Sequence, residues 1–265
     1  MLISIITINY NNLEGLKNTM NSVFEQSYKD IEYIIIDGGS TDGSKAFIES
    51  KEKNLAYWVS EPDQGIYHAM NKGIDQATGE YLLFMNSGDC LVDPLVIEKF
   101  VGFNPVEDIV YGDPLVREGN TWKRKFMPKE MSIGVALTNS LAHQAEFYRG
   151  TLFIGTFRYD TSYICSGDRS LTNTAIIFKN ATTRYIDLIV CYFENPGVSA
   201  DAGLRFKERK RFLNENFDPF FIRLFKDYQQ LNIELKALNN SSLIQAARWI
   251  LNQRAKILKY FNKNS

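Results

Sequence analysis

Short runs of large apolar residues alternate with segments of helical periodicity through the first part of the chain. The runs, rich in β-branched and aromatic residues, lie at residues 2–8, 31–37, 55–60 and 81–85. A helix of about 15 residues is predicted from Leu13, and Gly79 is expected at the end of another. The apolar positions of that second helix are Ile66, Met70, Ile74 and Ala77. This alternation predicts an α/β domain, Rossmann-like, with a mostly parallel central sheet and helices on both faces.

Polar residues are concentrated where each of these predicted strands ends. They occupy residues 9–12, 37–42, 61–63 and 86–89. In open α/β sheets, ligands bind outside the carboxyl ends of the strands. We therefore expect the functional site at this edge of the sheet.

Beyond Asp89 the pattern is less regular. Strands are predicted at residues 108–113, 143–150 and 184–194, with a hairpin turn at 119–120. A helix is predicted to begin near Asp168, and the chain is helical in pattern from Leu204 onward. These patterns predict one domain over residues 1–203, with halves 1–90 and 91–203, and a helical extension over residues 204–265.

Composition narrows the class of protein. The 265 residues are 45% apolar, enough for one large core. Three scattered cysteines without a C-x-x-C pair argue against a disulfide framework or a zinc site and favour a reducing compartment. The N-terminus lacks the features of a signal peptide, and no apolar run approaches the roughly 20 residues of a membrane-spanning helix. We expect a cytoplasmic protein.

Charge is distributed unevenly along the chain. Residues 205–265 carry 13 Lys and Arg against 5 Asp and Glu, whereas residues 1–204 carry 17 against 26. The basic C-terminal part points towards an anionic surface. It lacks an aromatic platform motif, so nucleic-acid binding is disfavoured.

A basic amphipathic helix is predicted within residues 242–261. Its apolar stripe consists of Leu243, Ala246, Ala247, Ile250, Leu251, Ile257, Leu258 and Phe261, with Arg248, Arg254, Lys256 and Lys259 beside it. Such a helix can lie on an anionic membrane. Docking on the protein's own surface and formation of a homodimer are alternatives that the pattern leaves open.

Two aspartates at strand ends are candidates for binding chemistry. Asp37 follows a buried strand and precedes Gly38–Gly39, so its carboxylate can accept a hydrogen bond from a base or ribose. Asp89 ends the segment "LLFMNSGD" and can hold a hard divalent cation together with substrate phosphates. A simple turn is the alternative for both. Neither G-x-G-x-x-G after strand 1 or 2 nor G-x-x-x-x-G-K-[ST] occurs, which disfavours dinucleotide cofactors and P-loop chemistry.

The ordered segments "SIITINYNN", "YIIIDGGSTDGS" and "SEPDQGIYHAMNKGIDQATGEYLLFMNSGD" resemble the family 2 glycosyltransferases, which have the A-type glycosyltransferase fold. "HQAEF" and "GVSA" extend the resemblance more weakly. It covers residues 2–90 almost continuously and is patchy to about residue 200. It implies a nucleotide-sugar donor bound by residues 1–90 and an acceptor bound by residues 91–203.

The resemblance also implies roles for residues of the first half. Thr7, Asn9, Tyr10 and Asp37 are expected to bind the base and ribose. Asp63 and Gly65 are expected below the nucleotide, and Asn71 and Lys72 beside the diphosphate or sugar. Ser87 and Gly88 are expected at the donor, and Asp89 matches the last aspartate of the family's D-x-D metal motif. Ser87 stands where that motif has its first carboxylate.

In the second half, the resemblance identifies Asp168 as the general base that deprotonates the acceptor hydroxyl. Arg169 is expected either to lower the pKa of Asp168 or to contact acceptor phosphate. His143 is expected on the acceptor or metal side, with a structural histidine as the alternative. Ser199 is expected in a segment that folds over the diphosphate.

Together these features predict a Mn²⁺- or Mg²⁺-dependent, inverting glycosyltransferase, hexosyl- or N-acetylhexosaminyl-, that uses a UDP-sugar. By analogy with the family, the acceptor is a glycan on a lipid diphosphate in bacterial surface polysaccharide synthesis (O-antigen or capsule), and the enzyme can attach peripherally to the inner face of the membrane. Two other functions are considered. A sugar nucleotidyltransferase would need a Gly-rich basic loop after the first strand, which is absent. A non-catalytic nucleotide-sugar-binding subunit is compatible with the single acidic residue at position 168.

Overall fold

The computed structural model describes residues 1–193, 201–241 and 244. The strands of these residues are β1 Ile3–Asn9, β2 Ile31–Asp37, β3 Tyr57–Ser60, β4 Tyr81–Phe84, β5 Cys90–Leu91, β6 Ile109–Glu118, β7 Thr121–Arg124, β8 Glu146–Arg149 and β9 Thr183–Phe193. The helices are α1 Leu13–Phe24, α2 Ser44–Glu49, α3 Ile66–Gln76, α4 Val96–Gly102, α5 Ile133–Thr138, α6 Gly167–Phe178, α7 Ala202–Asn216 and α8 Pro219–Asn239.

One sheet contains all of these strands, in the order β3-β2-β1-β4-β8-β6-β9-β5, with β7 paired to β6. Strands β3, β2, β1 and β4 are parallel, and in register Asn9 lies opposite Asp37 while Asp37 lies opposite Ser60. Strand β8 is antiparallel to both β4 and β6, so the sheet is mixed beyond β4. The predicted α/β fold is confirmed, and the carboxyl ends of the first strands meet at one edge.

Both faces of the sheet are covered, which is why the strands read as continuous apolar runs. Ile3 and Ile5 of β1 pack in a cluster with Leu16 of α1. Ile6 of the same strand packs on the other face, with Met70 of α3. All four side chains of β4 are buried. The core therefore consists of two layers that share the central strands.

Helix α3 corrects one prediction. Met70 and Ile74 are buried as expected, but Ile66 is 37% exposed. The helix ends at Gln76, and Gly79 lies beyond it rather than at its C-cap. A Cβ at Gly79 would lie 2.4 Å from the Ser4 side-chain oxygen. Gly79 is therefore needed where the backbone passes close to β1.

Beyond Asp89, the observed elements agree in part with those predicted from the sequence. The hairpin predicted at 119–120 joins β6 to β7, with Glu118 opposite Thr121. The segment 143–150 is shorter as a strand than predicted, because His143–Ala145 forms a 3-10 turn and only Glu146–Arg149 pairs in the sheet. This turn directs the side chain of His143 towards the end of β4.

The chain divides into two compact units between Arg209 and Lys210. In the second unit, α8 begins at Pro219, and the Asp218 side chain caps it by accepting from the Phe221 amide. The amphipathic helix predicted within 242–261 lies, apart from Ile244, outside the described residues, and so do all the residues of its apolar stripe. In the part of the chain that the structure describes, none of the helices has the length and apolar character needed to cross a membrane.

A buried carboxylate, that of Glu146, lies at the start of β8. The Glu146 side chain is 2% exposed and accepts hydrogen bonds from Tyr148 Oη at 2.8 Å and Thr172 Oγ1 at 2.9 Å. Burial raises the pKa of Glu146 to about 7, although these two hydrogen bonds favour the charged form. Ionising Glu146 therefore costs more in the folded protein than in the unfolded chain.

Replacing this carboxyl should change how stability depends on pH. Because the folded state raises the Glu146 pKa from 4.5 to about 7, the wild-type protein should lose about 3 kcal/mol of stability from this group as the pH rises through that interval. The Glu146→Gln variant should not lose it. Thermal unfolding at pH 4 and pH 8 should show the variant gaining relative to wild type only at pH 8, and an equal difference at both pH values would contradict the burial argument.

Candidate active site

A cavity of about 1330 Å³ opens at the sheet edge where the predicted site residues were expected. It is lined by the segment after β4, the first turns of α3 and α6, the 3-10 turn at His143, and α7 as far as Arg209. All of these segments belong to the first compact unit. The cavity exceeds the usual 300–1,000 Å³ range of ligand pockets, so it has room for two substrates.

The structure brings six of the predicted residues to the wall of this cavity. They are Ser87, Gly88, Asp89, His143, Asp168 and Arg169. The remaining described ones lie at the ends of β1–β3 or on α3, and Ser199 lies outside the described residues.

The turn after β4 is fixed by contacts with α1. Gly88 has φ 108, a left-handed conformation that favours glycine, and its amide donates to Thr19 Oγ1 at 2.9 Å. The Thr19 hydroxyl in turn donates to the Asp89 carbonyl at 2.7 Å. "SGD" at 87–89 is thus a turn, as composition suggests, and the turn presents a carboxylate to the cavity.

Asp89 is 7% exposed. Burial raises the pKa of its carboxyl to about 6, while the charge of His143 and a hydrogen bond from Gln144 oppose this shift. Asp89 is consequently ionised near neutral pH but loses its charge more readily than an exposed aspartate. Because a buried charge is costly unless it is paired, a bound cation would stabilise the ionised form of this carboxylate.

His143 connects the end of β4 to the first turn of α6. Its Nδ1 lies 3.3 Å from the Asp168 carboxylate, and its Nε2 lies 3.2 Å from Asn86 Nδ2. Tyr67 Oη donates to the other oxygen of Asp168 at 3.4 Å. The imidazole thus holds Asp168 at a fixed place relative to the turn that carries Asp89.

The pKa values of this pair reflect their contact. Burial lowers the pKa of His143, but the hydrogen bond and charge of Asp168 raise it on balance above its ordinary value. Burial acts to raise the pKa of Asp168, but the hydrogen bond and charge of His143 bring it below its ordinary value. His143, rather than the Arg169 guanidinium, is the main partner that keeps Asp168 ionised.

Glycine allows α6 to approach this network. A Cβ at Gly167 would lie 2.7 Å from the Tyr67 ring, and that ring is stacked on Tyr159 with centroids 5.5 Å apart. The sequence Ser-Gly-Asp occurs at 87–89 and again at 166–168, and both segments need their glycine, for different reasons. Gly88 supplies a left-handed turn, and Gly167 supplies space for an aromatic ring.

The residues around Asp89 fit a cation that binds together with an anionic substrate. Asn86 Oδ1 is buried and has no hydrogen-bond partner, and amide and carboxylate oxygens are the ligands that hard divalent cations prefer. Among the described residues, no group of three His, Cys, Asp or Glu side chains is arranged to hold a metal. Substrate phosphates would therefore have to complete the ligand set.

The ends of β1–β3 form a separate hydrogen-bonded network around Asp37, which is fully buried. Its carboxylate accepts from Asn9 Nδ2 at 2.7 Å, from the Ser60 hydroxyl at 2.6 Å, and from both the amide and the hydroxyl of Ser40. Although burial acts to raise the pKa of Asp37, these hydrogen bonds lower it on balance. In this arrangement Asp37 organises the loop, and its predicted contact with the nucleotide remains a prediction.

Adjacent asparagines connect this network with the cavity. The backbone N–H of Asn11 donates to the Ser40 hydroxyl at 2.8 Å, whereas the side-chain Nδ2 of Asn12 donates to the Ser87 carbonyl at 2.9 Å. Tyr10, which precedes them, is 68% exposed. Asp63 lies across the loop, where a Cβ at Gly38 would be 2.6 Å from its carboxylate, and it accepts from the Gly65 amide at 2.8 Å.

Three predicted donor-binding residues are engaged elsewhere. Thr7 is buried in the sheet with its hydroxyl 3.0 Å from Tyr33 Oη. Asn71 exchanges two hydrogen bonds of 2.9 Å with the backbone of Tyr159, and Lys72 pairs with Glu61 at 2.6 Å. None of the three lines the cavity, so their roles at the donor stay predictions.

Arg169 points towards α5 rather than towards Asp168. Its Nη2 donates to the Leu137 carbonyl at 2.6 Å, and Arg209 Nη2 donates to the same oxygen at 2.8 Å. Burial lowers the pKa of Arg169 to about 10, and the charge of Arg209 acts in the same direction.

Sequence reasoning missed several residues that line the cavity: Tyr67, Asn86, Gln144, Arg205 and Arg209. Asn86 and Gln144 adjoin predicted residues, so their position beside Ser87 and His143 was an available signal. Arg205 and Arg209 are four residues apart and share a face of α7, but nothing in the sequence shows what that face meets.

The sequence is similar to that of known glycosyltransferases. Residues 4–164 match the family described as Glycosyl transferase family 2. A glycosyltransferase of Mycobacterium tuberculosis strain H37Rv is 35% identical over 206 residues, which cover 75% of this chain and 77% of that relative. A "PGL/p-HBAD biosynthesis glycosyltransferase" of Mycobacterium bovis strain BCG is 31% identical over 208 residues, with 74% and 78% covered.

Solved structures share the fold. Residues 1–349 of S. aureus TarS in complex with UDP-GlcNAc superpose with a TM-score of 0.61 at 19% identity, covering 74% of this chain and 59% of that one. The mannosyltransferase PcManGT from Pyrobaculum calidifontis, in complex with GDP-Man and Mn²⁺, gives 0.58 at 18% identity, with 78% and 60% covered. The chain thus spans about three fifths of these two solved chains. It covers 37% of the longer chain in another crystal structure of S. aureus TarS. From the family match, the relatives and the fold, the chain belongs to glycosyl transferase family 2 and has the A-type glycosyltransferase fold.

Proposed function

We propose that the protein transfers a sugar, with inversion, from a UDP-sugar to a hydroxyl of a glycan acceptor carried on a lipid diphosphate. The donor class is supported by the solved complexes with UDP-GlcNAc and GDP-Man. The relative named for PGL/p-HBAD biosynthesis supports sugar transfer as the activity, and the acceptor class is proposed by family analogy alone. The cavity, larger than one small ligand requires, leaves space for both substrates.

The observation that carries this proposal is the connection between Asp89 and Asp168. Both carboxylates line one cavity. His143 lies between the two segments that carry them, bonded to Asp168 on one side and to Asn86 on the other. A displacement needs one group at the leaving diphosphate and another at the attacking hydroxyl, and Asp89 and Asp168 would be those groups.

Asp168 would accept the proton of the acceptor hydroxyl as its oxygen attacks the anomeric carbon. Attack from the face opposite the departing diphosphate inverts the configuration in one displacement. His143 and Tyr67 orient the base and keep it ionised before the acceptor binds. A divalent cation bound through Asp89 would supply charge neutralisation for the diphosphate.

Removing the Asp89 carboxylate should abolish transfer and leave the fold intact. The Asp89→Ala variant is expected to lose at least about a hundredfold in turnover, measured as UDP release from the matching UDP-sugar and acceptor. Its midpoint of thermal unfolding without ligand should not fall, because the lost group is costly to ionise when buried. Asp30→Ala, an exposed aspartate outside the cavity, is the control. Full wild-type turnover in excess EDTA would contradict the metal role.

Asp168→Asn should separate donor binding from transfer. We expect UDP to bind with unchanged affinity in calorimetry while turnover falls by about a hundredfold or more. The pKa of His143, followed by NMR, should decrease because Asp168 raises it in the wild type. Near-normal turnover would exclude Asp168 as the base. Donor binding by wild type without transfer to any acceptor would instead favour a non-catalytic nucleotide-sugar-binding subunit.

A further inference from the structure

Three arginines line the cavity beyond Asp168. Arg169 lies in the first turn of α6, and Arg205 and Arg209 lie one turn apart on α7. Arg169 and Arg209 converge, since each donates from Nη2 to the carbonyl of Leu137. Two guanidinium groups are thus held against each other at the cavity wall.

Within the described residues, none of these arginines forms an ion pair with a carboxylate. The charge of Asp168 attracts Arg169. The two carboxylate oxygens of Asp168, however, are bonded to His143 and Tyr67 rather than to an arginine. Glu208, on α7 itself, accepts from the amides of Ile164 at 2.6 Å and Cys165 at 3.2 Å.

The other acidic groups do not neutralise the cluster either. Glu146 is bonded to Tyr148 and Thr172, and Asp89 is bonded to Gln144. Lys125 lines the same cavity and adds a further positive charge. Like charges without a counter-ion repel each other, and no carboxylate of the described residues supplies one, so an anionic ligand would stabilise the cluster.

Helix capping explains only part of this arrangement. Cations near the C-terminus of α5 are favourable, and Arg169 and Arg209 each use Nη2 for that purpose. A guanidinium has five N–H donors in a planar fork. The Nε and Nη1 groups of Arg169 and Arg209, and the whole Arg205 side chain, make no hydrogen bond to the described residues. These donors have the geometry that phosphate oxygens accept.

We propose that Arg169, Arg205 and Arg209 bind a phosphate or diphosphate group of the acceptor. The inference rests on the proposed function, which places the donor diphosphate at Asp89. The arginines lie next to the base Asp168, which the acceptor hydroxyl must reach, and two of them hold α5 in the half of the domain assigned to the acceptor. A neutral glycan alone would leave this charge uncompensated.

Inorganic pyrophosphate, titrated by calorimetry in excess EDTA, tests this subsite without the cation that the donor requires. Arg205→Gln and Arg209→Gln should each weaken pyrophosphate binding by about tenfold. The control is Arg149→Gln, which also removes one guanidinium–carbonyl bond (to Val106, 2.8 Å) but lies outside the cavity. The control should bind as wild type does.

A parallel titration with UDP and Mn²⁺ identifies the source of the phosphate. The acceptor assignment requires UDP affinity to stay within about twofold in the arginine variants. An equal loss for UDP would assign the arginines to the donor and overturn the proposal. So would unchanged pyrophosphate binding in the variants, or a wild-type protein that does not bind millimolar pyrophosphate.

Two further results distinguish a failure of the anion subsite from misfolding of a variant and from failure of the proposed donor. If circular dichroism shows that Arg209→Gln does not fold, Arg205→Gln decides, because it removes no described side-chain contact. If wild type binds pyrophosphate but no UDP with Mn²⁺, the proposed donor fails while the anion subsite stands.

Discussion

The site depends on one imidazole that joins two segments distant in the chain. His143 contacts Asn86 at the end of β4 and Asp168 at the start of α6, so it fixes the separation of the two segments that carry the site carboxylates. The 3-10 turn at His143–Ala145 makes this possible, because it interrupts the chain just before β8 enters the sheet. A continuous strand from residue 143 would direct the side chain differently.

Buried charge is the second feature of the cavity, and its negative and positive groups are compensated in different ways. The carboxylates of Asp89 and Asp168 are compensated by neighbours that donate hydrogen bonds, chiefly Gln144 and His143. Arg169 and Arg209 donate to a carbonyl, and among the described residues neither they nor Arg205 pair with a carboxylate. Because unpaired charge in a partly buried site is costly, both ends of the cavity are organised to receive groups of defined charge. That property supports the proposed transfer between two phosphorylated substrates over binding of one neutral sugar.

Much of the first half of the domain was predictable from the sequence, because its strands are buried on both faces and its helices cover them. Continuous apolar runs end at polar clusters, and parallel register then places those clusters at one edge. The ordered motifs also identified Asp89, His143 and Asp168, which the structure brings to one cavity. Gly79 shows the limit of local reasoning, since its requirement comes from contact with Ser4 and not from helix capping.

The sequence by itself therefore determined the α/β class, the edge of the sheet that carries the site, and its candidate carboxylates. These follow from continuous apolar runs, from apolar positions with the helical period of 3.6 and from short motifs. Only the tertiary structure decided which groups are free to meet a ligand. Asp37 is occupied by three neighbouring residues and Lys72 by Glu61, whereas Arg205 and Arg209 enter the cavity from a helix far along the chain. Hydrogen bonding and charge compensation depend on contacts between distant segments, which sequence patterns do not specify.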